Sequence, residues 1–280
     1  MKTIVLIIVL GVSIAVGAEI APNVIGNNEK AKPDDAPWIV SLQLAENDFA
    51  YCGATLINAT TDEQSCLGWV LTAASCLRGI SQDSIIASLR NWNLANSQER
   101  IPLNITHFIE HENFNATSHE NDIALLKTTF QPVPETQTCE TDNFLNVAPP
   151  SGFNETFYDE TQAWFLGWGL LVENGPLQKE LYNVSIPLLT DKNCTGSYTH
   201  EIFKGASMMC AGVEGFGLCS YDTGGPLVCN YEESQDVTHK WLCGIASFGH
   251  GCGSKLKPAI FTDIASNNFT KWIEDKMVSY

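Results

Sequence analysis

The chain has 280 residues and a formal net charge of -17 at pH 7, from 32 acidic and 15 basic side chains. A protein with this much negative charge is not expected to bind nucleic acid, because such binding requires a basic surface. With 44% hydrophobic residues the chain is also long enough to bury a core without a metal, and no cofactor is expected.

The N-terminus has the features of a cleavable secretory signal. Lys2 precedes an apolar run over residues 4–16, and small residues follow at 17–18. The run is shorter than the roughly 20 residues of a membrane span, so no membrane anchor is expected. We predict a signal peptide over residues 1–18, a short prosegment over 19–23 and a secreted, extracellular protein.

Short apolar or alternating segments with turn signals between them predict an all-β protein. The predicted strands are 38–44, 51–57, 69–73, 85–89, 101–105, 123–126, 164–167, 181–188, 226–229, 241–248 and 259–264. Residues 131–157 show no sustained periodicity, and we interpret them as a connection between two halves. Helical spacing of Phe269, Trp272, Ile273 and Met277 predicts one helix, over about 266–280.

Ten cysteines in a chain with a secretory signal imply a disulfide framework, whose pairing the spacing alone does not give. Seven Asn-X-Ser/Thr triplets also predict a glycoprotein. A disulfide at Cys194 would reduce use of the triplet at Asn193, of which Cys194 is the middle residue. The predicted glycosylation sites are Asn58, Asn104, Asn115, Asn154, Asn183, Asn193 and Asn268.

Three motifs carry a family resemblance. Leu-Thr-Ala-Ala-Ser-Cys at 71–76, Asn-Asp-Ile-Ala-Leu-Leu at 121–126 and Cys-Ser-Tyr-Asp-Thr-Gly-Gly-Pro at 219–226 resemble, in order, the triad segments of the trypsin/chymotrypsin family. Gly-Trp-Gly at 167–169 and the tryptophan-containing terminal helix fit the same family. The resemblance covers residue 24 to the C-terminus.

The resemblance implies a trypsin-like domain over 24–280, made of two six-stranded Greek-key β-barrels and a C-terminal α-helix. The first barrel would span about 24–130 and the second about 131–265. The helix would occupy about 266–280.

Two of the three triad positions depart from the family. Ser75 stands in place of the histidine base and Thr223 in place of the serine nucleophile, while Asp122 keeps the family residue. An alcohol is a negligible nucleophile without an adjacent base, and a serine hydroxyl accepts no full proton near pH 7. We therefore predict a pseudoenzyme with no catalytic residues, resembling the inactive serine protease homologs of insects.

The resemblance places Tyr221, Asp222 and Thr223 in the oxyanion region, with Tyr221 where the family usually has glycine. The implied substrate pocket has no acid at its floor, so it would take only a neutral side chain; whether the cleft is open is left undecided. Asn23 before Val24 offers no basic activation site, so a zymogen-like form is expected. The implied pocket residues are Gly217, Ser247, Phe248, Gly249 and Ala259.

The resemblance also implies three disulfides, Cys52–Cys76, Cys194–Cys210 and Cys219–Cys252. The usual partner of Cys229 would fall near Ala163, so we predict that Cys229 pairs with Cys243 across the next hairpin. Cys66 and Cys139 are then left to each other, with an intermolecular bond or a free thiol as alternatives.

The histidines give no sign of a metal site. His119, three residues before Asp122, is either a displaced base or a solvated loop residue, and we interpret it as the latter. The other five share no spacing and predict no zinc or other metal ligands: His107, His111, His200, His239 and His250.

The resemblance to inactive serine protease homologs implies a non-catalytic protein that binds an extracellular protein partner, as a cofactor, decoy or regulator of protease pathways. Its partners would be proteases or their substrates. One alternative is a weak hydrolase that uses Thr223, and another is a carbohydrate- or lipid-binding module that reuses the cleft.

Overall fold

The computed structural model of the chain describes most of the predicted domain. The described residues are 28–32, 35–62, 65–96, 98, 100–132, 139, 144–149, 162–199, 202–212, 217–234, 237–254, 256–266 and 268–280. The predicted signal peptide and prosegment, Val24 and most of the predicted connection over 131–157 lie outside them.

The first barrel is a closed antiparallel sheet of six strands in the order β2-β3-β4-β7-β6-β5. In β6, Ile101, Leu103 and Ile105 are buried and the residues between them are exposed, because successive strand residues point to opposite faces. A short 3-10 helix over Ala74–Cys76 follows β4 and carries Ser75. The strands are β2 (Ile39–Leu44), β3 (Phe49–Asp62), β4 (Ser65–Thr72), β5 (Ile85–Leu89), β6 (Ile101–Glu110) and β7 (Ala124–Phe130).

The second barrel has the order β9-β10-β13-β12-β11-β8 and closes through the pairing of β8 with β9. A short strand β1 (Asn28–Lys30) pairs with β9 from outside. Phe165, Trp241 and Phe261 fill the barrel interior. The strands are β8 (Gln162–Gly167), β9 (Tyr182–Leu189), β10 (Met208–Ala211), β11 (Pro226–Ser234), β12 (Val237–Phe248) and β13 (Ala259–Asp263).

These two barrels confirm the predicted fold class. The predicted terminal helix is α2 (Phe269–Ser279), which buries Phe269 and Ile273. The expectation that only the tail is helical is wrong, since α1 (Asp191–Ser197) is a second helix. It has seven residues, contains Gly196 and lacks an apolar stripe, so no periodicity marks it. The disulfide from Cys194 to β10 holds it in place.

All ten cysteines are paired, and the pairs match the predicted ones. The bond between Cys229 and Cys243 joins β11 to β12, and the bond between Cys66 and Cys139 ties β4 to the connection between the barrels. The other pairs are Cys52–Cys76, Cys194–Cys210 and Cys219–Cys252.

Among the described residues, no helix has the length and apolar character needed to cross a membrane.

Candidate active-site cleft

A cleft of about 640 Å³ lies where the two barrels meet. Tyr51, Ser75 and His119 line it from the first barrel, and Thr223 and Phe248 from the second. The cleft is open, which answers the question that the sequence left undecided.

Asp122 is the buried centre of the triad region and has no exposed surface. Its Oδ1 accepts the backbone N–H of Ser75 at 2.7 Å, and its Oδ2 accepts the Ser75 hydroxyl at 2.9 Å. The Ser247 hydroxyl also donates to Oδ2, at 2.6 Å. Ser75 therefore commits its hydroxyl proton to the carboxylate and adds no base to the cleft.

Asp122 also joins the two barrels independently of any chemistry. Its backbone carbonyl accepts the Thr262 hydroxyl at 2.7 Å, while its carboxylate accepts that of Ser247. Both donors belong to the second barrel, so the residue has a structural role that does not depend on the triad.

The hydroxyl of Thr223 donates to the backbone carbonyl of Ser247 at 3.3 Å. The backbone carbonyl of Thr223 accepts the N–H of Gly53 at 2.8 Å, which fixes the loop against β3. No described side chain accepts the Thr223 proton, so the hydroxyl is in place without a base to activate it.

His119 lies in a turn, as predicted, but the interpretation of its side chain as solvated is wrong. Its Nδ1 lies 3.3 Å from Asp122 Oδ2, and its side chain is 33% exposed. The ring packs on Phe248 at a centroid distance of 5.1 Å and faces Phe114 at 6.5 Å. Left-handed backbone at His119 (φ 58°) and Asn121 (φ 57°) turns the side chain back to the carboxylate. The structure thus brings one imidazole into the same cleft as Thr223.

Tyr221 keeps the backbone conformation that suits glycine, with φ 75° in the left-handed region. Its ring is 40% exposed and packs edge-on against Phe49, with centroids 4.9 Å apart. In the described part of the chain, no group accepts a hydrogen bond from the N–H of Tyr221 or of Thr223. Two backbone donors of the oxyanion region are therefore unused.

Asp222 points away from the cleft into the second barrel. It is buried, and its carboxylate accepts the N–H groups of Gly169 at 3.0 Å and Cys219 at 2.9 Å. A side chain at Gly167 or Gly169 would collide with this carboxylate, which explains the two glycines of the Gly-Trp-Gly motif. Burial raises the pKa of Asp222 to about 7, although the two N–H donors oppose the shift.

The raised pKa of Asp222 predicts that the protein becomes less stable as pH rises. Between the ordinary pKa of 3.8 and about 7, the folded state binds more protons than the unfolded state. The free energy of unfolding should therefore fall as pH rises from 4 to 7, by on the order of a few kcal/mol from this group. Urea unfolding across this range tests it, with Asp222→Asn expected to flatten the profile. A stability that rises with pH and does not respond to Asp222→Asn would contradict the prediction.

The five predicted pocket residues line two neighbouring spaces, and Gly249 borders both of them. Ser247, Phe248 and Gly249 border the open cleft. Gly217 and Ala259, together with Gly249, enclose a recess without room for a water molecule.

Leu218 also lines this recess, and the sequence did not single it out. It is 4% exposed, and a methyl group placed on Gly249 would contact it at 3.8 Å. Its position directly before Cys219 in the nucleophile-loop motif was the available signal. The described residues therefore leave no free volume for a substrate side chain in this recess.

The predicted glycosylation sites differ in exposure. Asn58 and Asn183 are partly buried, and Asn154 lies outside the described residues. The exposed ones are Asn104, Asn115, Asn193 and Asn268.

Two β-barrels with triad-equivalent positions in the cleft between them define a serine-protease architecture. The sequence model of the trypsin family matches residues 25–273, and the chain belongs to this family.

Three relatives illustrate the similarity. Serine protease 28 of Mus musculus is 31% identical over 257 residues, which cover 85% of this chain and 84% of that protein. Trypsin of Xenopus laevis is 30% identical over 282 residues and the full length of both chains. Chymotrypsin-like elastase family member 3B of Macaca mulatta is 30% identical over 263 residues, which cover 91% of this chain and 93% of that protein.

Proposed function

We propose that this chain is a secreted trypsin-family protein that binds an extracellular protein without cleaving it, as a cofactor, decoy or regulator of protease pathways. The observation that carries the proposal is the hydrogen bond from the Ser75 hydroxyl to Asp122 at 2.9 Å. It puts a donor where peptide hydrolysis needs a proton acceptor.

The expected loss of activity is large. In subtilisin, removal of the nucleophile or base lowers turnover by about 10⁶, and only about 10³ to 10⁴ over water remains from the rest of the site. Here both positions differ, and the Thr223 hydroxyl donates to a carbonyl. Proteolysis is therefore a poor account of what this cleft does.

Secretion is supported by the chemistry of the cysteines. Five disulfides are stable in an oxidising compartment and rare in the cytosol. The exposed Asn-X-Ser/Thr triplets fit the same compartment because they are accessible to glycans.

The partner surface in this proposal includes the rim of the cleft. Tyr221 presents a large, partly exposed ring there, supported by Phe49, and aromatic anchors of this kind are enriched at protein interfaces. The net charge of -17 would speed association with a basic partner surface.

Cross-linking with mass spectrometry in the native secretion tests the binding role. We expect a defined protein to be linked near Tyr221, and the link to weaken with Tyr221→Gly. Val278→Ser is the matched control, since Val278 is another exposed hydrophobic residue, on α2. Equal linking by both variants would contradict a cleft-rim interface.

One observation favours a second candidate function, slow hydrolysis by Thr223. His119 Nδ1 lies 3.3 Å from Asp122 Oδ2, as a dyad base requires. In this candidate, Nε2 takes the Thr223 proton while Oγ1 attacks an ester carbonyl. The imidazolium then returns the proton to the departing alkoxide, and water hydrolyses the acyl-threonine.

Ester turnover separates the two functions. We expect the wild type, His119→Gln and Thr223→Ala to hydrolyse p-nitrophenyl acetate at the same rate, because no described base holds the Thr223 proton. A wild-type rate well above the rates of both variants would establish the second candidate.

A further inference from the structure

A second cavity, of about 420 Å³, lies on the outer face of the second barrel and shares no lining residue with the cleft. Its apolar surface comes from Trp38, Trp164, Leu166 and Val228. Trp38, Leu166 and Val228 are each no more than 5% exposed. The cavity is near the lower end of the roughly 300–1,000 Å³ of ligand pockets, so it suits one small unit.

The strand register explains why these side chains share a face. Trp164 of β8 pairs with Val228 of β11, and Leu166 of β8 pairs with Asn183 of β9. Phe165, between the two β8 residues, points into the barrel core. The strands therefore direct Asn183 to the same outer face as Trp164, and both residues line the cavity.

Asn183 is incompletely satisfied and lies at the edge of this cavity. Its side-chain Oδ1 is buried without a hydrogen-bond donor. The Oδ1 of Asn230, also at the cavity, is likewise buried without a donor. Two buried acceptors without donors beside one cavity call for an occupant that can donate hydrogen bonds.

Asn183 is also the first residue of the triplet Asn183-Val184-Ser185. We propose that Asn183 carries an N-linked glycan whose first N-acetylglucosamine occupies this cavity. The inference rests on the secretion part of the proposed function. Nδ2 loses a proton and bonds to C1 of the sugar, while the bond from C1 to the diphosphate of a lipid-linked donor breaks. Transfer precedes folding, because the folded Asn183 lies within β9.

The cavity chemistry fits this occupant. The acetamido N–H and the hydroxyls of the sugar supply donors for the amide oxygens, and its apolar face packs on an indole. Lys30 at the rim pairs with Glu180 outside the cavity. The remaining rim charges are Lys32 and Lys240 against Glu29 and Asp35, which balance around a neutral sugar.

Glycopeptide mapping tests the inference on the full chain secreted from human cells. We expect a glycan on Asn183, released by a peptide N-glycosidase under native conditions roughly tenfold more slowly than from exposed Asn104 of β6. Both sites should be released alike after denaturation. Trp164→Ala should leave the glycan attached but remove the protection.

A stability measurement gives a second readout. Asn183→Gln should lower the Tm by about 3 °C, and Asn104→Gln should leave it unchanged. Glycans at Asn104 but none at Asn183 would overturn the inference, as would release from native Asn183 at the rate of Asn104. Absence of glycans from every triplet of the secreted chain would also overturn it, whereas failure of the chain to reach the culture medium would count against secretion itself.

Discussion

Changing Ser75→His, Tyr221→Gly and Thr223→Ser together is expected to convert an inert protein into one that hydrolyses peptide esters and reacts with a fluorophosphonate. Asp122 already accepts the backbone N–H at position 75 and the Ser247 hydroxyl. An imidazole at position 75 could therefore donate to the Oδ2 that the Ser75 hydroxyl now occupies. Ester turnover should rise by at least roughly 10³-fold over the unchanged protein.

The restored and unchanged proteins should be compared with Val24 freed at the N-terminus, because the uncleaved chain is expected to be zymogen-like. Asn23→Lys permits this cleavage by giving an activating protease a basic residue. The control carries Ser75→His and Tyr221→Gly with Thr223→Ala, so that only the nucleophile is missing. If the restored protein folds with the wild-type Tm and still neither turns over nor reacts, the scaffold has lost more than its triad. Leu218, which lines the closed recess, would then be the next residue to substitute.

Removing the disulfide between Cys66 and Cys139 is expected to have the largest effect on stability. The two residues are 73 positions apart and both are buried. In the chain-entropy account, cross-linking a loop of this length stabilises the fold by about 4 kcal/mol, against about 3 kcal/mol for a loop of 15 residues. Cys66→Ala with Cys139→Ala should therefore lower the free energy of unfolding in urea by about 4 kcal/mol.

The matched control is Cys229→Ala with Cys243→Ala, which opens a loop of only 14 positions. Its loss should be the smaller of the two. A larger loss from the short loop, or none from the long one, would show that loop closure does not set the contribution of these bonds.

The fold was predictable because its signals are local. The buried and exposed alternation of β6 follows directly from the sequence, and the three triad motifs fix where each barrel contributes to the cleft. The bond between Cys229 and Cys243 was predictable for the same reason, since neighbouring hairpin strands bring them together. Short elements such as β10 and α1 carry too few residues for a period to show.

The site was less predictable because its geometry depends on backbone turns and on contacts between distant residues. The turn that brings His119 to Asp122 requires left-handed backbone at two non-glycine residues. Tyr221 likewise adopts a conformation that its residue type does not favour. The cavity at Asn183 arises from the register of β8 with β9 and β11 and from Trp38, which is distant in the sequence.

The presence of Asp122 does not require the protein to be proteolytically active, because this residue also has a structural role. Its carbonyl and carboxylate accept hydrogen bonds from Thr262 and Ser247 across the junction of the barrels. Removing the carboxylate would leave buried donors unpaired, and each would lower the free energy of unfolding by about 1–3 kcal/mol. Binding through the cleft rim requires this junction whether or not a base is present.

The most direct test of the non-catalytic account is the intact mass of the unchanged chain, with Val24 freed, after prolonged exposure to a fluorophosphonate beside Thr223→Ala. We expect no adduct on either protein, because no described base activates the Thr223 hydroxyl. A stoichiometric adduct that maps to Thr223 and is absent from Thr223→Ala would contradict it and establish an active nucleophile in this cleft.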